Sequence, residues 1–261
     1  MKIEVRDISF AYENNETIFK NISFDIETGK VTSILGPNGA GKSTLLNCIA
    51  NMTLPASGSI FIDGVNTRHM RLRDVAKAIS YVPQMLIPAF DYPVLEYVVA
   101  GCAPRMGIFE KPKSEHYDVA WEALGLLGIE HLANKPYTEI SGGERQQVSI
   151  ARAIAQKPSF ILLDEPTSHL DYGNQIKVLK IIRTLADNGY GIVMTTHNPD
   201  HVLLLNDCIG ALNRQGQMIF GSCSDIMRED FLKDLYGTDL RLLPVVEFGR
   251  TICAIPKLIV R

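Results

Sequence analysis

The chain is poor in tryptophan (one), cysteine (five) and net charge (−3) for its 261 residues. Each shortage excludes something. Cys48, Cys102, Cys208, Cys223 and Cys253 are scattered and odd in number, and no pair has metal-ligand spacing, so a reduced cytosolic protein is expected. No stretch approaches the roughly 18 apolar residues of a membrane span. The longest apolar pieces, such as residues 202–205, are core-sized. The near-neutral balance argues against a nucleic-acid partner. Residues 1–7 alternate charged and apolar side chains, the pattern of a strand and not of a signal peptide. Internal repeats, low-complexity tracts and disordered linkers are missing too. The chain does have a 46% hydrophobic composition, enough for a sizeable core in one large α/β domain or a core domain with a subdomain.

Coarse organisation follows from periodicity. Residues 3–9 and 22–26 read as strands, and Val31–Leu35 as a buried strand running into a glycine-rich loop at 36–43. A helix through Leu45, Leu46, Ile49 and Ala50 stops before Pro55. Residues 59–62, the Asp63-Gly64 turn and Val65 read as a hairpin, and residues 79–83 as a strand ending at Gln84. From Met85 to about Ala155 the character changes. Four prolines interrupt the first half, and then Trp121, Leu124 and Leu127 predict a helix ending at Gly128, so the region reads as a helical insertion. Phe160–Leu163 is a second buried strand. Ile176, Leu179, Ile182 and Leu185 mark a helix closed by Gly189, and residues 192–196 a third buried strand ending at His197. Residues 209–212 and 218–220 flank a turn at Gly216.

Two segments are suited to phosphate. Gly36, Pro37, Asn38, Gly39, Ala40, Gly41, Lys42 and Ser43 fit the pattern G-x-x-x-x-G-K-[ST] between a strand and a helix. Glycines there let backbone N–H groups wrap phosphates, Lys42 reaches the β- and γ-phosphates, and the Ser43 hydroxyl ligates Mg²⁺. Far downstream, Ser141, Gly142 and Gly143 open a helix, with Glu144 at capping-box spacing from Ser141. A helix start with uncovered N–H groups and little side chain is an anion site. One nucleotide rarely needs both devices from one subunit.

Asp164 and Glu165 end a hydrophobic strand, where carboxylates are costly unless they meet a cation or a proton-transfer partner. Asp164 would hold Mg²⁺, directly or through water, and Glu165 would polarise the attacking water. If the strands are parallel, His197 joins them at the same sheet edge, to hydrogen-bond a γ-phosphate and fix the water. Gln84 would ligate Mg²⁺ or orient water. Tyr12 either stacks on adenine or packs on its sheet.

Taken together these residues resemble the nucleotide-binding subunit of ABC transporters. The match runs in order through Tyr12 (A-loop), residues 36–43 with the adjoining Thr44 (Walker A), Gln84 (Q-loop), residues 141–146 (signature), 160–165 (Walker B), 168–171 (D-loop, ending in Asp171) and His197 (H-loop), within about residues 1–225. The D-loop carries His169 where many members have alanine. The resemblance implies an α/β fold: a P-loop NTPase core with an antiparallel β-subdomain (1–84 and 156–225), an inserted α-helical subdomain (85–155) and a short C-terminal tail (226–261). It implies ATP and Mg²⁺ as ligands and ATP hydrolysis as the activity. It also implies a head-to-tail homodimer in which Ser141 and Gly143 of one subunit serve the other's ATP.

Residues 81–84, 141–155 and 168–175 look most like importer ATPases for iron–siderophore complexes, haem, cobalamin or molybdate. The expected partners are then an integral membrane permease, which holds the subunit at the cytoplasmic face, and an extracytoplasmic solute-binding protein reached through it. Met85, Leu86, Ile87, Phe90 and Tyr92 would give the dock for the permease its apolar surface. The competing functions are a soluble ABC ATPase of the iron–sulfur assembly type and the ATPase of an exporter. Residues 141–146 argue against a P-loop kinase, the single cassette against a translation factor, and the lack of sustained heptads against a DNA-repair ATPase.

Overall fold

The computed structural model describes residues 1–12, 17–84, 91–107 and 109–255. The first half builds around β1 (Lys2–Ala11), β2 (Thr17–Glu27), β3 (Val31–Leu35), α1 (Lys42–Ile49), β4 (Ser57–Ile62) and β5 (Val65–Asn66). Alternation in β1 sends Ile3, Val5, Ile8 and Phe10 inward, as the period of a half-buried strand requires. β1 pairs antiparallel with β2 and β4, giving a sheet of order β2-β1-β4-β5. Its inner face packs on α1 through Leu45, Leu46 and Ile49.

The chain continues through α2 (Leu72–Ala78), β6 (Ile79–Val82), α3 (Val94–Val99), α4 (Ser114–Leu126), α5 (Gly142–Ala155), β7 (Phe160–Leu163), α6 (Tyr172–Asp187), β8 (Gly191–Thr196), α7 (Pro199–Leu205), β9 (Cys208–Leu212) and β10 (Met218–Ser222). The second sheet has the order β10-β9-β3-β8-β7-β6. β9, β3, β8, β7 and β6 run parallel and β10 antiparallel at the edge. The β3, β7 and β8 side chains are buried on both faces, which explains why those segments are continuous apolar runs. Parallel strands bring the ends after Leu35, Val82, Leu163 and Thr196 to one edge, as the expected placement of His197 beside the acids requires.

Helices α3, α4 and α5 pack on one another through Val98, Leu124, Val148 and Ile154. Trp121 departs from the expected seam and is 40% exposed. The buried face of α4 is Ala120, Ala123 and Leu124, and position 121 turns about 100° away from Ala120. Met85 to Phe90, expected to form the permease dock, lie outside the described residues.

The segment after residue 222 is folded: α8 (Cys223–Ile226), α9 (Glu229–Tyr236) and a hairpin of β11 (Arg241–Val245) and β12 (Arg250–Ala254). Leu232 and Leu240 join Val202 and Ile209 in a separate small core. No helix among the described residues is long and apolar enough to cross a membrane.

Candidate active site

The parallel sheet delivers its loops to a cleft of about 770 Å³ lined by Tyr12, Lys42, Ser43, Gln84, Glu165 and His197, among others. Gly36 through Ser43 connect β3 to α1. The Gly36 N–H donates to the Thr196 carbonyl at 3.2 Å, which ties the loop to the neighbouring strand. Gly41 sits at φ +95° against Ile18, where a Cβ would overlap Ile18 Cγ2. Ala40 is buried beneath the loop, while Asn38 and Gly39 face the cleft.

Lys42 is 6% exposed, and its ammonium is fully engaged. It donates to the Gly36 carbonyl at 2.9 Å and the Pro37 carbonyl at 3.2 Å, and lies 3.1 Å from Glu165 Oε1. The other Glu165 oxygen is 3.0 Å from His197 Nδ1. Glu165 adopts φ +46°, a left-handed conformation that is costly for a residue with a Cβ. Its N–H donates to Thr195 Oγ1 at 2.7 Å, which holds that turn.

Asp164 lies under this layer. Its Oδ1 accepts from the Ser43 hydroxyl at 2.9 Å and the Thr195 hydroxyl at 2.6 Å, and its Oδ2 from the Tyr81 hydroxyl at 3.2 Å. Burial and the adjacent Asp164 charge push the Tyr81 phenol up, so it remains a donor. Ser43 and Asp164 together form an all-oxygen pair, the donor chemistry that Mg²⁺ takes. Gln84, assigned to the same ion, instead donates to Ser168 Oγ at 3.3 Å, and Ser168 donates to the Glu165 carbonyl at 2.8 Å. Tyr12 is 54% exposed at the cleft rim, edge-on to Phe10, with its hydroxyl 3.2 Å from Thr44 Oγ1.

Tyr81, Thr195 and His201 escaped sequence reasoning. The legible signal for Thr195 is the pair of hydroxyls, Thr195 and Thr196, that ends an otherwise apolar buried strand, because a buried polar group needs a partner. His201, one turn beyond His197, is 5% exposed and has Asn198 Nδ2 3.2 Å from its Nε2. An amide nitrogen only donates, so Nε2 accepts and the proton sits on Nδ1, facing the Thr167 and Thr196 hydroxyls. Burial pushes the His201 imidazole pKa down.

Ser141, Gly142, Gly143 and Asp171 do not line the cleft. Ser141 caps α5: its Oγ accepts the Glu144 N–H at 3.4 Å while Glu144 Oε2 accepts the Ser141 N–H at 2.8 Å, the capping box expected from the spacing. The Ser141 hydroxyl and N–H hold the Glu144 carboxyl below its usual range. Gly143 faces the side chain of Asn174, where a Cβ would come within 2.7 Å of Cγ. Asn174 is fixed by Asp171, which caps α6 by accepting its N–H at 2.9 Å and its Nδ2–H at 2.7 Å. The two segments missing from the cleft therefore share a surface of their own.

The family model that matches residues 19–168 is that of the ABC transporter. The chain belongs to this family. It is 37% identical to the molybdate import ATP-binding protein MolC of Haemophilus influenzae over 90% of this chain and 87% of that protein. It superposes with a TM-score of 0.86 on a solved structure described as an inward-facing conformation of a metal-chelate type ABC transporter, at 34% identity over 97% of this chain and 96% of that one. The ATP-binding cassette MJ0796, solved as a dimer in a post-hydrolysis state with ADP and Pi, gives a TM-score of 0.73 at 29% identity over 85% of this chain and 98% of its own. The fold is that of an ABC ATPase, and the activity is ATP hydrolysis. The likeness extends past residue 225 into a segment with no diagnostic motif.

Proposed function

We propose that this chain is the ATP-hydrolysing subunit of an importer for a metal chelate or a molybdate-like oxyanion. It works as a homodimer with composite ATP sites beneath a membrane permease, at the cytoplasmic face. One observation carries the composite sites: Lys42, Ser43, Glu165 and His197 share one cleft, with Asp164 beneath it on Ser43, whereas Ser141, Gly143 and Asp171 share another surface. A second copy placed head to tail brings these two surfaces together over one nucleotide.

In that site Tyr12 stacks on adenine, and the loop from Gly36 to Thr44 wraps the phosphates with Lys42 on their outer oxygens. Ser43 and Asp164, with Gln84 brought in from Ser168, hold Mg²⁺, which supplies charge neutralisation for the phosphates. Glu165 takes the proton of the attacking water and His197 orients the γ-phosphate. Ser141 and Gly143 of the partner close the site with backbone N–H groups at a helix start. The Glu144 carboxylate must leave that helix start for a phosphate to approach.

The importer reading is supported by MolC and by the metal-chelate transporter structure. The permease reading is also supported by an apolar groove of about 460 Å³ walled by Tyr92, Tyr97, Val99 and Pro112, with the Arg152 guanidinium 4.7 Å from the Tyr97 ring centroid. An extracytoplasmic binding protein would deliver the solute to the permease.

The test is a heterodimer of a Ser141→Arg subunit and a Lys42→Ala subunit, purified through two different tags. One of its composite sites is damaged on both sides and the other is intact. One ATP trapped per heterodimer, against none in either parent homodimer, supports the composite arrangement. Full ATPase activity of the Ser141→Arg homodimer would show that the signature completes no site.

A further inference from the structure

His197 is 52% exposed at its side chain, so packing does not set the direction of its imidazole. Its orientation follows from the backbone that carries it and from the contact with Glu165. That backbone is held at both ends of one peptide unit. The N–H of Asn198 donates to Thr196 Oγ1 at 3.1 Å, a local contact. The carbonyl of His197 accepts the hydroxyl of Tyr236 at 2.8 Å, a contact from the far C-terminal segment.

Tyr236 is the last residue of α9, and α9 is itself clamped. Gly237 ends the helix in a left-handed conformation, with its N–H on the Lys233 carbonyl at 2.8 Å. At the other end Glu229 accepts the Leu242 N–H at 2.9 Å and pairs with Arg241 at 3.1 Å, joining the helix to the β11–β12 hairpin. The same hairpin grips α7, just after His197, where the Cys253 N–H donates to Asp200 Oδ1 at 2.7 Å. Burial raises the Tyr236 phenol pKa, so the group stays a donor.

We propose that Tyr236 is a positioning residue for ATP hydrolysis: its hydroxyl fixes the His197–Asn198 peptide and thereby aims the His197 imidazole at Glu165 and the γ-phosphate. The C-terminal segment then sets the turnover rate without touching nucleotide. This rests on the role given to His197 above. A hydrogen bond that orients a group in the transition state but does not touch bound ATP acts on kcat and spares KM.

The experiment uses the full chain with Tyr236→Phe, which keeps the ring and removes only the hydroxyl, alongside His197→Ala and the double variant, all followed in single turnover with excess enzyme. Tyr236→Phe is expected to lower the hydrolysis rate about tenfold, the equivalent of one hydrogen bond, with ATP affinity within about twofold and the melting temperature nearly unchanged. In the His197→Ala background the same substitution is expected to change nothing, because the group it aims is gone. A wild-type rate in Tyr236→Phe beside a dead His197→Ala would overturn the inference and leave the reading of the cleft intact. An undiminished rate in His197→Ala would overturn the role of His197 and the inference with it. A tenfold loss in both backgrounds would show that Tyr236 acts independently of His197, which also overturns it.

Discussion

Lys42 Nζ lies 3.1 Å from Glu165 Oε1, so the cation meant for phosphate and the carboxylate meant for water rest on each other. Both are nearly buried, and on the proposed reading ATP separates the pair. In the proposed mechanism Lys42 moves to the phosphates, and Glu165 keeps its His197 contact and takes the proton of the water. The cleft thus holds its two charges side by side and compensated, which is how a buried pair is tolerated.

Glu165→Gln removes the base and neutralises the competitor for Lys42 at one stroke. Turnover should fall about 10²–10⁴-fold, the span of general-base catalysis. ATP affinity should stay the same or rise, and the variant should accumulate as an ATP-bound dimer on size-exclusion chromatography. Hydrolysis near the wild-type rate would remove Glu165 from the mechanism.

Lys42→Ala takes the lysine cation from the buried Glu165 carboxylate and leaves it the His197 contact. Breaking a buried pair by deleting one partner costs about 3–5 kcal/mol, so the variant should unfold in markedly less denaturant as well as bind ATP weakly. Adding Glu165→Gln should restore much of that stability without restoring ATP binding. The readout is a double-mutant cycle in urea beside titration calorimetry. Additive stability losses would mean that the two groups do not interact.

How much of this cleft was legible in the sequence depended on what each residue's spacing carries. The glycine-rich loop, Asp164, Glu165 and His197 were readable because each ends or follows an apolar run, and parallel strands bring such ends together. The contacts inside the cleft were not readable: Tyr81 and Thr195 reach Asp164 only through the alignment of β6, β7 and β8, and no local pattern encodes that register. The C-terminal helix and hairpin were missed for a similar reason. Their small core is completed by Val202 and Ile209, residues from elsewhere in the chain. Trp121 misled because its three-residue spacing from Leu124 and Leu127 suggested a shared face, whereas the buried face of α4 runs through Ala120, Ala123 and Leu124.

Gly143 should not tolerate even one methyl group. A Cβ there would lie 2.7 Å from Asn174 Cγ, and Asn174 is held by Asp171, so the helix start at Ser141 must shift. Gly143→Ala should lose most ATPase activity while binding ATP normally, since it lies off the cleft. Adding Asn174→Ala, which clears the space, should recover part of the activity. No recovery would mean that the methyl acts on the partner's nucleotide directly.

His201 gives the fold a pH dependence whose sign can be worked out. Its folded pKa lies below the ordinary 6.5, because burial penalises the charged ring. Well above 6.5 the ring is neutral in both states and contributes no slope. As pH falls through 6.5 the unfolded chain takes up a proton that the folded chain refuses, so stability falls until the folded pKa is passed. Protonation would occur at Nε2, which accepts from the Asn198 amide; that bond needs the neutral ring, whereas the Nδ1 contacts to the Thr167 and Thr196 hydroxyls survive it. Moving from about pH 7.5 to about 5.5 should therefore lower the melting temperature more in the wild type than in His201→Gln, which cannot titrate. Equal shifts in the two proteins would show that His201 is free to protonate in the folded state.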